Sequence, residues 1–152
     1  MIDEDEKKIF RVRNMKESDY GYVISSWTAS MSSSKTFAGV NKQVIESLVQ
    51  PHIRSILKDE SVEKIVVCPS EEDEPIVAFA IAKAPVLFYL HVKGAFRLNG
   101  VMTDVLNILG FHPGSKLILA TDTNDAQRIM RKNIWDMTIR PDLLSICSGG
   151  QI

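Results

Sequence analysis

The chain is short of cysteine, of long apolar runs and of any excess of one charge, and each shortage removes a class of protein. Only two cysteines occur in 152 residues, Cys68 and Cys147. They lie far apart, in no metal-ligand or redox spacing, and both fall in or beside apolar, strand-like stretches where cysteine is usually a small buried hydrophobe. No disulfide framework and no metal site are expected. The longest apolar runs are strand-length, well short of a membrane span, and the acidic start MIDEDEKKIF lacks the apolar segment of a secretory signal. A soluble protein of a reducing cytoplasm is expected. With 18 basic against 19 acidic side chains, nothing favours a general affinity for nucleic acid or an anionic membrane. Repeats, linkers and low-complexity blocks are also lacking. Residues 1–152 are read as one domain, frayed at 1–8 and 148–152.

What is present is organised around Val86 to Leu109, VLFYLHVKGAFRLNGVMTDVLNIL. Val86 to Val92 is almost continuously apolar and rich in β-formers, as in a strand covered on both faces. Lys93 and Gly94 end it. From Val101 the apolar positions (Val101, Met102, Val105, Leu106, Ile108, Leu109) take helical spacing, with Gly110 as the stop and Pro113-Gly114 as a turn. A strand that feeds a helix through a glycine-bearing turn presents backbone N–H groups at a positive helix end, which suits a phosphate.

The remaining elements follow in order. Ile9 to Val12 reads as a short strand. Glu17-Ser18-Asp19 caps a helix with an apolar face of Tyr20, Val23, Ile24, Trp27 and Met31. Ser30 to Lys35 reads as a loop. A second helix, from about Asn41 to Leu57, carries two apolar rows, Val44/Leu48/His52/Ile56 and Ile45/Val49/Ile53/Leu57. Pro51 predicts a kink or a break within it, with His52 on the buried side. Lys64–Cys68 and Ile76–Ala82 are strands joined by the acidic turn Ser70 to Pro75. With Val86–Val92 they form an antiparallel meander. Lys116 to Ala120 is a further strand, and the intervening helix implies a parallel, right-handed pairing with Val86–Val92. Thr121 to Asn124 cap a last helix faced by Ala126, Ile129, Met130 and Ile134. The stretch from Trp135 to Cys147 holds a strand or two around Pro141. The fold class is α+β, a mixed sheet flanked by helices.

This order, with Val92, Arg97 and Gly100 in VKGAFRLNGVM, resembles the GNAT (GCN5-related) N-acetyltransferases. Their signature after the fourth strand is Val-x-x-x-x-Gln/Arg-x-x-Gly-x-Gly/Ala. VISSWTAS (Val23 to Ser30), LHVKGAFR and the Trp135…Pro141 tail are also similar to acetyltransferase-like proteins of bacteriophages. The resemblance implies an acetyltransferase that moves acetyl from acetyl-CoA to a primary amine, on a small molecule or a protein, by direct attack in a ternary complex. It implies that backbone groups of Arg97, Leu98, Asn99, Gly100, Val101 and Met102 hold the CoA pyrophosphate. The pantetheine then enters a gap between strands four and five, beside Leu90 and Val92, and meets Asn124. The position of Met102 is usually glycine or alanine in the family, and AQRIMRKNIW lacks the last-helix tyrosine that many members use as an acid. These departures keep open an alternative: a catalytically silent GNAT-like phage protein that binds a host or phage protein partner, with or without CoA as a structural ligand.

Candidate chemistry beside that resemblance is sparse. His91 shares a strand face with Tyr89 and Lys93 and has a suitable pKa for a base, against the plainer reading of a packed, hydrogen-bonded histidine. Trp27, Ser30 and His52 are candidates for the acceptor side, although tryptophan at this spacing is more often core and His52 more often a satisfied, half-buried side chain. His112 reads as a turn residue. Pairing through the late strands is a reasonable basis for a homodimer. A phage origin would place the protein in the host cytoplasm.

Overall fold

The computed structural model describes residues 10–33, 37–69, 76–93, 101–121, 127–128, 131 and 134–140, with Val101 and Met102 described only as helix. Six strands form one sheet in sequence order: β1 (Phe10–Asn14), β2 (Glu63–Pro69), β3 (Ala78–Lys83), β4 (Val86–Val92), β5 (Lys116–Leu119) and β6 (Asp136–Ile139). The pairs β1–β2, β2–β3 and β3–β4 are antiparallel, whereas β4–β5 and β5–β6 are parallel. The expected meander and the parallel fourth–fifth pair are both present. The Lys64–Cys68 strand is longer by a residue at each end, and the first strand runs on to Asn14, past its expected end at Val12.

Helices cover the sheet, and the side-chain pattern of β3 assigns the two faces. Phe79 and Ile81 belong to one buried cluster with Val23, Ile24, Trp27 and Met31 of α1 (Tyr20–Ser32) and with Ile45, Val49, Ile53, Ile56 and Leu57 of α2 (Lys42–Lys58). Ala78, Ala80 and Ala82 face the other way, against Val105 and Leu106 of α3 (Val101–Ile108) and against Leu109, Phe111 and Trp135. Small residues on that face leave room for α3, while bulky ones fill the deeper space beneath two helices.

Several local expectations needed correction. Of the kink or break expected at Pro51, the break does not occur, and α2 is one helix of 17 residues. Proline removes one N–H donor, but the buried row Ile45/Val49/Ile53/Ile56/Leu57 anchors both halves to the same sheet face, so packing overrides the local preference. The other predicted row is only partly inward: Val44 and Leu48 are 49% and 55% exposed, His52 is half-buried and Ile56 is buried. Ser30 to Ser32 are the last turn of α1 rather than loop. Ile108, one of the apolar positions at helical spacing in α3, is exposed.

Asp19 takes the N-cap position of α1 that its place in the sequence suggested, but its side chain makes no capping bond to that helix. Glu17–Asp19 form a short 3-10 turn, and the Asp19 carboxylate accepts from Arg13 Nη1 (2.8 Å), Arg13 Nη2 (3.1 Å) and the Lys16 backbone N–H (2.8 Å). Both side chains are nearly buried, so the pair ties the end of β1 to the start of α1. The hydrogen bond from Arg13 is the main reason the Asp19 carboxyl titrates below the usual carboxylate range, against an opposing push from burial. At the far end of α3, Gly110 does supply the stop. Its φ of 92° is a left-handed conformation, and Phe111 N donates to Leu106 O at 2.8 Å to close the helix.

Candidate acyl-transfer site

The site begins with an irregularity in β4. Opposite β3, Ile81 aligns with Tyr89 but Ala82 aligns with Leu87, so Phe88 is an extra residue, a β-bulge. The extra residue breaks the alternation of side chains. Phe88 and Tyr89 both pack on the α1/α2 face, while Leu87, Leu90 and Val92 pack on the α3 face.

The bulge coincides with the place where β4 and β5 part. Their parallel register covers only Val86↔Ile118 and Leu87↔Leu119, with Ile118 N donating to Pro85 O and Ala120 N donating to Leu87 O. The register with β5 ends at Leu87, while β4 runs on to Val92. Lys93 N donates to Val77 O of the neighbouring chain segment, which orients odd-numbered positions of this stretch toward β3. By strand alternation the backbone polar groups of Leu90 and Val92 point toward the β5 side. A ligand carrying amides can pair with such an edge as an added strand does. This is the side of β4 on which the resemblance to the GNAT family implies the pantetheine arm, and both residues are buried there, Leu90 at 2% and Val92 at 0% exposure.

At the fork itself, Thr121 Oγ1 donates to Phe88 O at 2.6 Å and accepts from Trp27 Nε1 at 3.0 Å. One hydroxyl thus joins α1, the end of β5 and the bulge. Sequence reasoning read Thr121 only as the start of a helix cap, and residues 122–126 that follow it lie outside the described residues. Trp27 is fully buried and stacks on Tyr89, with ring centroids 5.2 Å apart and planes 7° apart. The Tyr89 hydroxyl donates to Ser26 O at 3.2 Å and lies 2.5 Å from Ser30 Oγ. Tyr89 and Thr121 are the residues that sequence reasoning missed. The only signal was the Tyr89–His91 spacing, since both contacts join segments remote in sequence.

His91 is half-buried on the same face. Its ring lies 6.3 Å from Tyr89, nearly parallel at 16°, and 5.4 Å from Phe79, its cross-strand neighbour. The structure therefore gathers Trp27, Ser30, Tyr89 and His91 along one side of β4. His52 lies on α2, half-buried. His112 is an exposed turn residue. Arg97, Leu98, Asn99, Gly100 and Asn124 lie outside the described residues, as do the acidic turn 70–75, Cys147, and Ala126, Ile129 and Met130 of the last helix. Val101 and Met102 open α3, whose N-terminus follows β4 as expected.

Neither protein-family models nor curated protein sequences yield a match to this chain. Solved structures do. The GCN5-related N-acetyltransferase described as aminotransferase, class-II, from Rhodopseudomonas palustris superposes with a TM-score of 0.51 at 13% identity, over 80% of this chain and 79% of that one. The PaiA N-acetyltransferase of Thermoplasma acidophilum, solved with coenzyme A, is similar over 82% of this chain and 73% of its own, at 15% identity and a TM-score of 0.42. A ribosomal-protein-alanine N-acetyltransferase from Brucella melitensis covers 87% and 79%, at 11% identity and 0.41. The chain has the fold of the GCN5-related N-acetyltransferases. Among the described residues no helix is long and apolar enough to cross a membrane.

Proposed function

We propose that the protein is an N-acetyltransferase that uses acetyl-CoA to acetylate a primary amine. The observation that carries this reading is the coincidence of the Phe88 bulge with the parting of β4 from β5, whose register ends at Leu87 beside a fixed cluster of polar and aromatic side chains. Acetyl-CoA supplies, when bound, a thioester that an amine nitrogen attacks with release of the CoA thiol.

The chain's own residues have distinct tasks in this reading. The Leu90 and Val92 backbone holds the pantetheine amides. The turn Arg97 to Met102 and the start of α3 hold the pyrophosphate through backbone N–H groups, with Asn124 meeting the pantetheine from the last helix. The Trp27–Thr121–Phe88 chain fixes the bulge, so that the strand backbone is aimed before any ligand arrives. His91 accepts the proton that an ammonium must lose to become a nucleophile. Trp27 and Ser30 shape the acceptor side through Tyr89, and His52 borders it from α2. Positioning of two substrates can supply much of the rate without a conspicuous catalytic set.

A second reading, a catalytically silent phage module that binds a protein partner, draws on the exposed apolar row Val40, Val44 and Leu48 along the start of α2. Thiol release separates the two. Protein incubated with acetyl-CoA and a panel of primary amines should release free CoA thiol in an amine-dependent manner. Absence of turnover across the panel, from protein that binds acetyl-CoA, would favour the silent module.

A further inference from the structure

We propose that Tyr89 is a positioning residue for His91: its ring, held by α1, fixes the plane of the imidazole beside the strand fork. This rests on the acyl-transfer reading above, with His91 as the base, and adds the group that aims that base.

The bulge brings the two rings to one face. Leu87 packs on the α3 face and Phe88 on the α1/α2 face, so continued alternation would place Tyr89 and His91 on the α3 face. The mismatch at Ile81/Ala82 shifts the phase by one residue. Tyr89 therefore packs in the α1/α2 cluster, and His91 lies against Phe79 of the same cluster. One extra residue re-aims both side chains.

Tyr89 has no room to turn. It is 1% exposed, and its ring lies 5.2 Å from that of Trp27 with planes 7° apart, while Trp27 is itself bonded to Thr121. Its hydroxyl is tied to α1 at two points. The single hydroxyl proton goes to Ser26 O at 3.2 Å, so in the 2.5 Å contact with Ser30 Oγ the serine donates. Ser26 and Ser30 are one helical turn apart and hold the same oxygen from neighbouring places.

His91, by contrast, is half-buried at the end of this row of rings. Its ring lies 6.3 Å from Tyr89 with planes 16° apart, and 5.4 Å from fully buried Phe79, tilted by 39°. Aromatic rings attract one another at these separations. An imidazole carries its nitrogens in the ring plane, and a base acts only when one of them is aimed within hydrogen-bond reach of the proton. Fixing the plane therefore narrows the directions from which His91 accepts, before any substrate arrives.

The test uses the full chain with acetyl-CoA and a panel of primary amines, read by thiol release, together with NMR of the two rings. Tyr89→Leu should lower kcat by about tenfold with the KM for acetyl-CoA unchanged. Tyr89→Phe keeps the ring and should recover kcat to within about threefold of the parent. In a His91→Ala background Tyr89→Leu should cost nothing more, because a positioning residue acts only through the group it positions. A further loss of the same size in that background would overturn the proposal and make Tyr89 a packing residue. So would a Tyr89→Leu variant with the parent's kcat, or a Tyr89→Phe variant as slow as Tyr89→Leu. The parent protein alone supplies a check that needs no variant to fold: nuclear Overhauser contacts between the Tyr89 and His91 ring protons are expected, and their absence would overturn the proposal. No turnover by the parent across the panel would overturn the acyl-transfer reading itself, and with it any role for Tyr89 in aiming a base, whatever the ring contacts show.

Discussion

Trp27 Nε1 donates to Thr121 Oγ1 at 3.0 Å, joining residues 94 positions apart at the point where β4 and β5 separate. The threonine hydroxyl passes the connection on to Phe88 O, in the bulge. All three groups are buried, so none has water to fall back on.

Thr121→Val keeps the shape of the side chain and removes both hydrogen bonds. It leaves the indole N–H and the Phe88 carbonyl without this partner, at an expected cost of about 2 kcal/mol. Urea unfolding checks this. A midpoint equal to that of the parent protein would mean that the hydroxyl does not brace the fork.

Acid should release the Arg13–Asp19 clamp. Asp19 titrates below its unfolded value because the Arg13 hydrogen bond stabilises the charged form, so its contribution is complete above the ordinary Asp value of 3.8. That contribution is lost as pH falls through the lowered folded value. Arg13→Met should cost about 2–3 kcal/mol near neutrality, since it strands a nearly buried carboxylate. It should also flatten this part of the acid dependence. Denaturant midpoints measured from pH 7 down to pH 2 provide the comparison, and parallel curves for parent and variant would contradict the assignment.

Gly110→Ala isolates a backbone effect. A Cβ there meets nothing within 4 Å, but φ is 92°. The cost is therefore conformational, about 1–2 kcal/mol. A thermal unfolding midpoint no lower than the parent's would show that the helix end relaxes freely.

For catalysis, His91→Ala should lower turnover by roughly a hundredfold while sparing acetyl-CoA affinity, as removal of a general base does. The acidic limb of the pH–rate profile, where the base is protonated, should change with it. A variant with the parent's turnover and pH profile would make His91 a packing residue.

The sequence carried the long-range plan of the fold where single elements declare themselves. Val86–Val92 was legible to the residue because a continuous β-rich apolar run ends sharply at Lys93-Gly94. Its parallel pairing with β5 followed from the helix between them. The bulge was not legible, because it is a mismatch in count between Ile81-Ala82 and Leu87–Tyr89, which no single strand displays. The break weighed at Pro51 does not occur because a local helix-breaking preference is outweighed by the buried row of α2. Thr121 looked like a capping residue because its partners, Trp27 and Phe88, are brought to it only by the fold. Tyr89 was read as a neighbour of His91, and its stacking on Trp27 needed α1 to be in place.

The central claim is that β4 beyond Leu87 and the start of α3 form a coenzyme A site. Calorimetric titration of acetyl-CoA into protein verified by mass spectrometry to be free of cofactor tests it most directly. The account expects 1:1 binding at micromolar strength, about 8 kcal/mol, abolished in a folded Gly100→Glu variant by bulk and like charge at the pyrophosphate. No heat of binding to the folded, cofactor-free protein would contradict the claim.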